Sequence, residues 1–281
     1  MKRTKSFQDN KPLLYLIATP IGNLSEITER ALTILKEMDV VAAEDTRNTY
    51  SLLNQYGIKK ELFSLREHNE NEASSHLIEL MKKGKKVAYV SDAGYPGISD
   101  PGYLLVKNAL ANDINVSTIS GSSAFINALV ASGLPTDHFY FYGFLPKKEN
   151  EAIRVLEKLI NRDETLIFYE SPHHIKETLQ ILLNVLGNRQ VVLARELTKI
   201  NEEYIRGTLQ ELNDIDSTTI KGEIVLIVSG NESNEEASDK QIADRLQFLF
   251  EKGVNKKAAI EIVVDELKVR KNRVYKIAES L

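Results

Sequence analysis

From residue 13 to about 230 the chain alternates short apolar runs with segments of helical period, which restricts its fold more than any other feature. Strand candidates are Leu13–Ala18, Asp39–Ala43, Lys86–Val90, Asn115–Ile119, Phe139–Tyr142, Thr165–Tyr169, Val191–Ala194, Tyr204–Gly207 and Glu223–Val228. Between them lie helix candidates at Ile27–Lys36, Glu72–Lys83, Gly102–Asn112, Ser123–Ser132, Glu149–Asn161, Pro172–Leu186 and Leu209–Asp214. Strands separated by helices of about 10–15 residues imply βαβ units and mainly parallel sheets.

The period breaks at Ser132-Gly-Leu-Pro-Thr136, and again at Gly230–Asp239, where Asn, Glu and Ser accumulate as in a linker. A chain of 281 residues is long enough for two domains. The expected layout is a basic tail over 1–12, α/β domains over 13–133 and 134–230, a linker over 231–238 and a helical domain over 239–281. The helical domain reads as Gln241–Glu251, Asn255–Leu267 and Lys271–Leu281, with Asn255 and Asn272 as caps.

The absence of cysteine excludes disulfides, thiol nucleophiles and thiolate metal sites, and it accords with a reducing cytosol. Leu13–Ala18 is too short for a signal peptide's apolar region or for a membrane span of about 20 residues. A cytoplasmic protein without membrane contact is therefore expected. Net charge is −4, which argues weakly against a nucleic-acid partner. The distribution leaves RNA open: Lys2, Arg3, Lys5 and Lys11 precede the first strand, and eight Lys or Arg follow from Lys252 onward. No dinucleotide-binding Gly-x-Gly-x-x-Gly follows a strand, and the Walker loop, His-Glu-x-x-His and Gly-x-Ser-x-Gly are absent.

Five loops at strand ends hold the candidate chemistry, because ligands of α/β sheets bind at the carboxyl ends of strands. Ser91–Gly102 is the longest, with three glycines, two prolines and two aspartates in twelve residues. Thr19-Pro-Ile-Gly-Asn-Leu24 offers backbone N–H groups, or is an ordinary βα turn. Glu44-Asp-Thr-Arg47 is either a surface ion pair or part of a site. Ser120-Gly-Ser-Ser-Ala124 lets a ligand lie against the backbone, or only caps a helix. Phe168-Tyr-Glu-Ser-Pro-His-His174 presents Glu170 and two histidines, but adjacent histidines point apart, so no metal is expected. His68 is a candidate general base beside Arg66 and Asn69, and Arg195–Lys199 either binds an anion or makes surface pairs.

Seven segments occur in an order that resembles one family. They are Thr19-Pro-Ile-Gly-Asn-Leu24, Ala43-Glu-Asp-Thr-Arg47, Ser91-Asp-Ala-Gly94 through Asp100-Pro-Gly102, Tyr142-Gly-Phe-Leu-Pro146, Phe168-Tyr-Glu-Ser-Pro-His173, Ala194-Arg-Glu-Leu-Thr-Lys199 and Lys221-Gly-Glu223. Together they are similar to the ribosomal RNA small-subunit methyltransferase I group of the tetrapyrrole-methylase-like superfamily. Tyr95, Gly97 and His174 depart from that group's usual Thr, bulkier aliphatic residue and Arg.

The resemblance implies two α/β domains with a ligand cleft between them and a small helical C-terminal domain. It implies S-adenosylmethionine as cofactor, a homodimer, and small-subunit rRNA or the assembled small subunit as partner, methylated at the 2′-hydroxyl of a cytidine in the decoding region. The implied cofactor site comprises Ile17, Ala18, Thr19, Pro20, Asp92, Ala93, Gly94, Tyr95, Ser122, Ser123 and Ala124, closed by Tyr169, Glu170, Gly222 and Glu223. Candidate bases are Glu44, Asp45 and His68, with Arg47 and Lys199 to hold RNA phosphate. In this reading Asp92 lies near the cofactor and Asp100 holds the loop's shape. The alternatives are a tetrapyrrole C-methyltransferase and a non-catalytic RNA-binding factor of ribosome assembly.

Overall fold

The computed structural model describes all residues except 1, 2, 7, 9, 10, 232–236 and 268. Most of the expected linker, together with Lys2 and Lys268, thus lies outside the described residues.

The first sheet contains β1 (Leu13–Ile17), β2 (Val40–Ala43), β3 (Glu61–Ser64), β4 (Val87–Val90) and β5 (Asn115–Ile119). Their order is β3-β2-β4-β1-β5, and every pair is parallel. The connecting helices are α1 (Glu29–Glu37), α2 (Thr46–Gln55), α3 (Glu70–Lys82) and α4 (Tyr103–Ala111). Along β4, Val87 and Tyr89 pack with Leu77 and Met81 of α3, while Ala88 and Val90 pack with Leu35 of α1 and Leu53 of α2. This period-2 division buries both faces, as parallel sheets require.

Two elements, β3 and α2, were not among the expected ones. β3 is a half-exposed edge strand of four residues, too short to register as an alternation. α2 reads Thr-Arg-Asn-Thr-Tyr-Ser-Leu-Leu-Asn-Gln, poor in strong helix formers. It stands on the Asp45 cap, whose carboxylate accepts from Arg47 N–H at 2.9 Å, and on burial of Thr49 and Leu53.

The second sheet contains β6 (Phe139–Phe144), β7 (Thr165–Glu170), β8 (Gln190–Arg195), β9 (Glu203–Thr208) and β10 (Ile224–Val228), in the order β6-β7-β10-β8-β9. Here the expectation of a mainly parallel sheet fails, since only β6 and β7 pair in parallel. The strands joined through α6 (Glu149–Glu157) and α7 (Ile175–Leu186) do run the same way. β10 then inserts antiparallel between β7 and β8, a long-range pairing that no local period records. α8 (Leu209–Asn213) follows β9.

α5 (Ala124–Ser132) joins the two halves: its Ala128 and Leu129 pack on Ile167, Val192, Val225 and Ile227 of the second sheet. Arg206 of β9 donates to the carbonyls of Ala131 and Ser132 at 2.6 and 3.1 Å. α9 (Asp239–Glu251), α10 (Lys256–Leu267) and α11 (Lys271–Ser280) bury their own cluster around Ile242, Leu246, Ile260, Val263 and Val274. Asn255 caps α10, accepting from Ala258 N–H at 3.0 Å. Asn272 is not a cap: burial of Val269 and Val274 starts α11 at Lys271, so Asn272 falls inside its first turn. Among the described residues no helix is long and apolar enough to cross a membrane.

Candidate functional site

Because the first sheet is parallel, the loops after β1, β2, β4 and β5 all leave the same edge. The loop Ser91–Gly102 is tied down along its length. Thr19 and Gly94 exchange backbone hydrogen bonds of 2.9 and 3.0 Å, and Thr19 Oγ1 donates to Ser91 O at 3.2 Å. Tyr89 OH donates to Pro101 O at 2.9 Å. The Tyr95 hydroxyl accepts from Gly121 N–H at 3.1 Å, fastening this loop to the one after β5.

A cleft of ≈ 540 Å³ opens between the two halves. Of the residues implied by resemblance, Asp92, Ala93, Gly94, Tyr95, Ser123, Ala124, Tyr169, Glu170, Gly222 and Glu223 line it. Ile17, Ala18 and Thr19 are buried and do not line it, and Pro20 borders a separate depression. The first strand end instead contributes Ile21, which sequence reasoning missed. Ser122 turns away to donate to Glu26 Oε2 at 2.7 Å.

The second half supplies an apolar wall and a charged end. Tyr169 meets Phe141 and Phe144 edge-on, and burial pushes its hydroxyl up to about 12. Glu170 is held by Ser171 N–H at 2.7 Å and Thr178 Oγ1 at 2.5 Å. Gly222 has φ +83°, which strains any other residue, and a Cβ there would stand 2.0 Å from Glu196 Oε1 and displace that side chain. Lys199 Nζ lies 2.9 Å from Glu196 and 3.5 Å from Glu223. Lys199, expected on RNA, is thus a cleft residue with two carboxylate partners. His174 Nδ1 lies 3.5 Å from Glu177, and no group of three or more His, Asp or Glu among the described residues is arranged to hold a metal.

A second cavity of ≈ 630 Å³ is lined by Glu44, Asp45, Arg66, Glu67, His68, Glu70, Asp92, Ser99, Asp100 and Pro101. Glu44, Asp92, Ser99 and Asp100 line both spaces and mark where they join. Asp92 is held by Asp45 N–H at 3.1 Å and Asn48 Nδ2 at 2.8 Å. Burial, then the neighbouring Asp92 charge, pushes Glu44 above the usual carboxylate range. Burial, then Glu44, raises Asp100 to about 7, offset in part by a hydrogen bond with Ser91. Asp100 lines both cavities, a position that its place in the loop sequence did not reveal.

Of the candidate bases, Asp45 is engaged elsewhere. Arg47 donates to it through Nε at 3.0 Å and Nη2 at 2.5 Å, holding its carboxyl well below the usual range. His68 lines the second cavity only and is exposed. Glu44 alone of the three reaches the junction.

Two cavities at strand ends, one amphipathic and one acidic, share Glu44, Asp92, Ser99 and Asp100 and form the ligand cleft of a two-domain α/β protein. Residues 13–213 match the Tetrapyrrole (Corrin/Porphyrin) Methylases, and the chain belongs to that family. It is 45% identical to "Ribosomal RNA small subunit methyltransferase I" of Halalkalibacterium halodurans, over 99% of each chain. With the Bacillus subtilis protein of the same name it shares 40% identity, over 98% of this chain and 97% of that one. Among solved structures, the methyltransferase CobJ superposes with a TM-score of 0.59 at 18% identity, over 79% of this chain and 95% of that one. Cobalt precorrin-4 methyltransferase, CbiF, gives 0.57 at 19% identity, over 77% and 94%. These two share the fold.

Proposed function

We propose that the protein transfers a methyl group from S-adenosylmethionine to small-subunit ribosomal RNA, and that the acceptor is the 2′-hydroxyl of a cytidine in the decoding region. The observation that carries this reading is the pair of cavities meeting at Glu44, Asp92, Ser99 and Asp100, in a chain whose near-full-length relatives are named for rRNA methylation.

The cleft fits the cofactor. Its volume falls in the range of about 300–1,000 Å³ usual for small-molecule sites. Ile21, Leu197, Ile224 and Tyr169 offer an apolar surface for an adenine, and Asp92 offers a carboxylate for a hydroxyl or a cationic centre. The bound cofactor supplies an activated sulfonium methyl. The protein's residues align the acceptor with it, and orientation alone can contribute about 7–11 kcal/mol. Glu44, raised by burial and kept beside the junction, takes the proton from the acceptor oxygen.

Unmethylated small subunits and labelled cofactor test the reading. Transfer to the ribose of a decoding-region cytidine is expected, with cofactor binding visible by calorimetry. Absence of binding would sink the enzyme reading, and binding without transfer to RNA would favour a tetrapyrrole substrate. The expected homodimer draws support from the exposed apolar side chains of Ile126, Val130 and Phe139, and sedimentation tests it.

A further inference from the structure

The second cavity has a polarity of its own. Its wall carries Glu44, Asp45, Glu67, Glu70, Asp92 and Asp100, against Arg66 and His68 as the basic lining residues. Such a wall accepts hydrogen bonds from neutral donors such as ribose hydroxyls and the cytosine amino group, and repels phosphates and carboxylates.

Two guanidinium groups are fixed beside this wall. Asp45 binds Arg47 at 2.5 Å and lies 3.9 Å from Arg66, while Arg66 Nε donates to Glu44 O at 3.1 Å. The Arg47 side chain is 84% exposed and that of Arg66 45%, so both keep outward-facing donors. An acid-lined hollow with cations toward solvent complements a neutral nucleoside flanked by phosphates. It does not complement a tetrapyrrole bearing several carboxylates.

We infer that this cavity receives the target nucleoside lifted out of its strand, and that Arg47 and Arg66, held by Asp45, grip the adjoining phosphates. The inference rests on the RNA reading above and adds a substrate subsite to it. Lifting would bring the ribose 2′-hydroxyl to Glu44 and Asp100, which line both cavities, and seat the base among the acidic side chains of the second. Asp45 is here a positioning residue.

The test uses the full chain, S-adenosylmethionine and unmethylated small-subunit RNA. Arg47→Gln and Arg66→Gln are each expected to raise KM for RNA roughly tenfold and to lower the slope of log affinity against log salt by about 1. Asp45→Asn is expected to raise KM while leaving that slope intact, since both cations remain but lose their support. Cofactor affinity by calorimetry should stay at the wild-type value in all three, which also reports their folding. Short duplexes carrying the target cytidine opposite an abasic site should bind roughly tenfold tighter than fully paired ones. Unchanged KM and slope in the arginine variants, or equal binding of both duplexes, would overturn the inference while wild-type transfer to RNA leaves the parent reading standing. Lack of wild-type transfer to any RNA would instead overturn the parent reading.

Discussion

The buried Glu70 carboxylate accepts from the backbone N–H of Gly102 at 2.8 Å, and through the same oxygen from Leu104 N–H at 2.9 Å. Gly102 stands at the N-cap of α4 and has no side chain to offer, so Glu70 on α3 caps that helix from outside. The bond also pins the end of the Ser91–Gly102 loop. Glu70→Ala is expected to lower unfolding free energy by about 1–3 kcal/mol and to weaken cofactor binding. Urea denaturation and calorimetry measure the two effects.

Gly102 itself has φ +136°, and a Cβ there would stand 2.9 Å from Tyr89 Cε1. Gly102→Ala should therefore cost about 1–3 kcal/mol of stability, again read by denaturation. Tyr89 is fully buried, so the ring has no room to yield.

Glu44→Gln keeps the shape of the junction but removes the proton acceptor. We expect kcat to fall by about 10²–10⁴, with cofactor affinity unchanged. His68→Ala should leave kcat near normal; an equal loss there would move the base to His68.

Asp100 rises from its ordinary 3.8 to about 7 in the folded protein. The folded state thus holds this proton more tightly than the unfolded chain does. The penalty for ionising Asp100 is absent below 3.8, grows as pH rises toward 7 and is constant above. The melting temperature of Asp100→Asn should accordingly match wild type in acid and exceed it increasingly up to neutrality. In the wild type, kcat/KM should rise with pH through the same window. In Asp100→Asn the part of that limb set by Asp100 should be lost, leaving the part set by Glu44.

By itself the sequence determined the strand–helix alternation, the loops at strand ends and the family. These are local properties: side-chain period, turn residues and short motifs are written in consecutive positions. It also named twelve candidate site residues that line the cleft, ten of them expected on the cofactor. Tertiary structure alone decided the rest. The insertion of β10 between β7 and β8 made the second sheet mixed. The pairing of Lys199 with Glu196 and Glu223 set one expected phosphate ligand in the cleft, and the pairing of Arg47 with Asp45 engaged one expected base while leaving the Arg47 side chain largely exposed. Glu70 and Asp100 gained their roles only because parallel strands deliver loops far apart in sequence to one sheet edge. There burial and neighbouring charge, which no local pattern encodes, set which carboxylate caps a helix and which can take a proton.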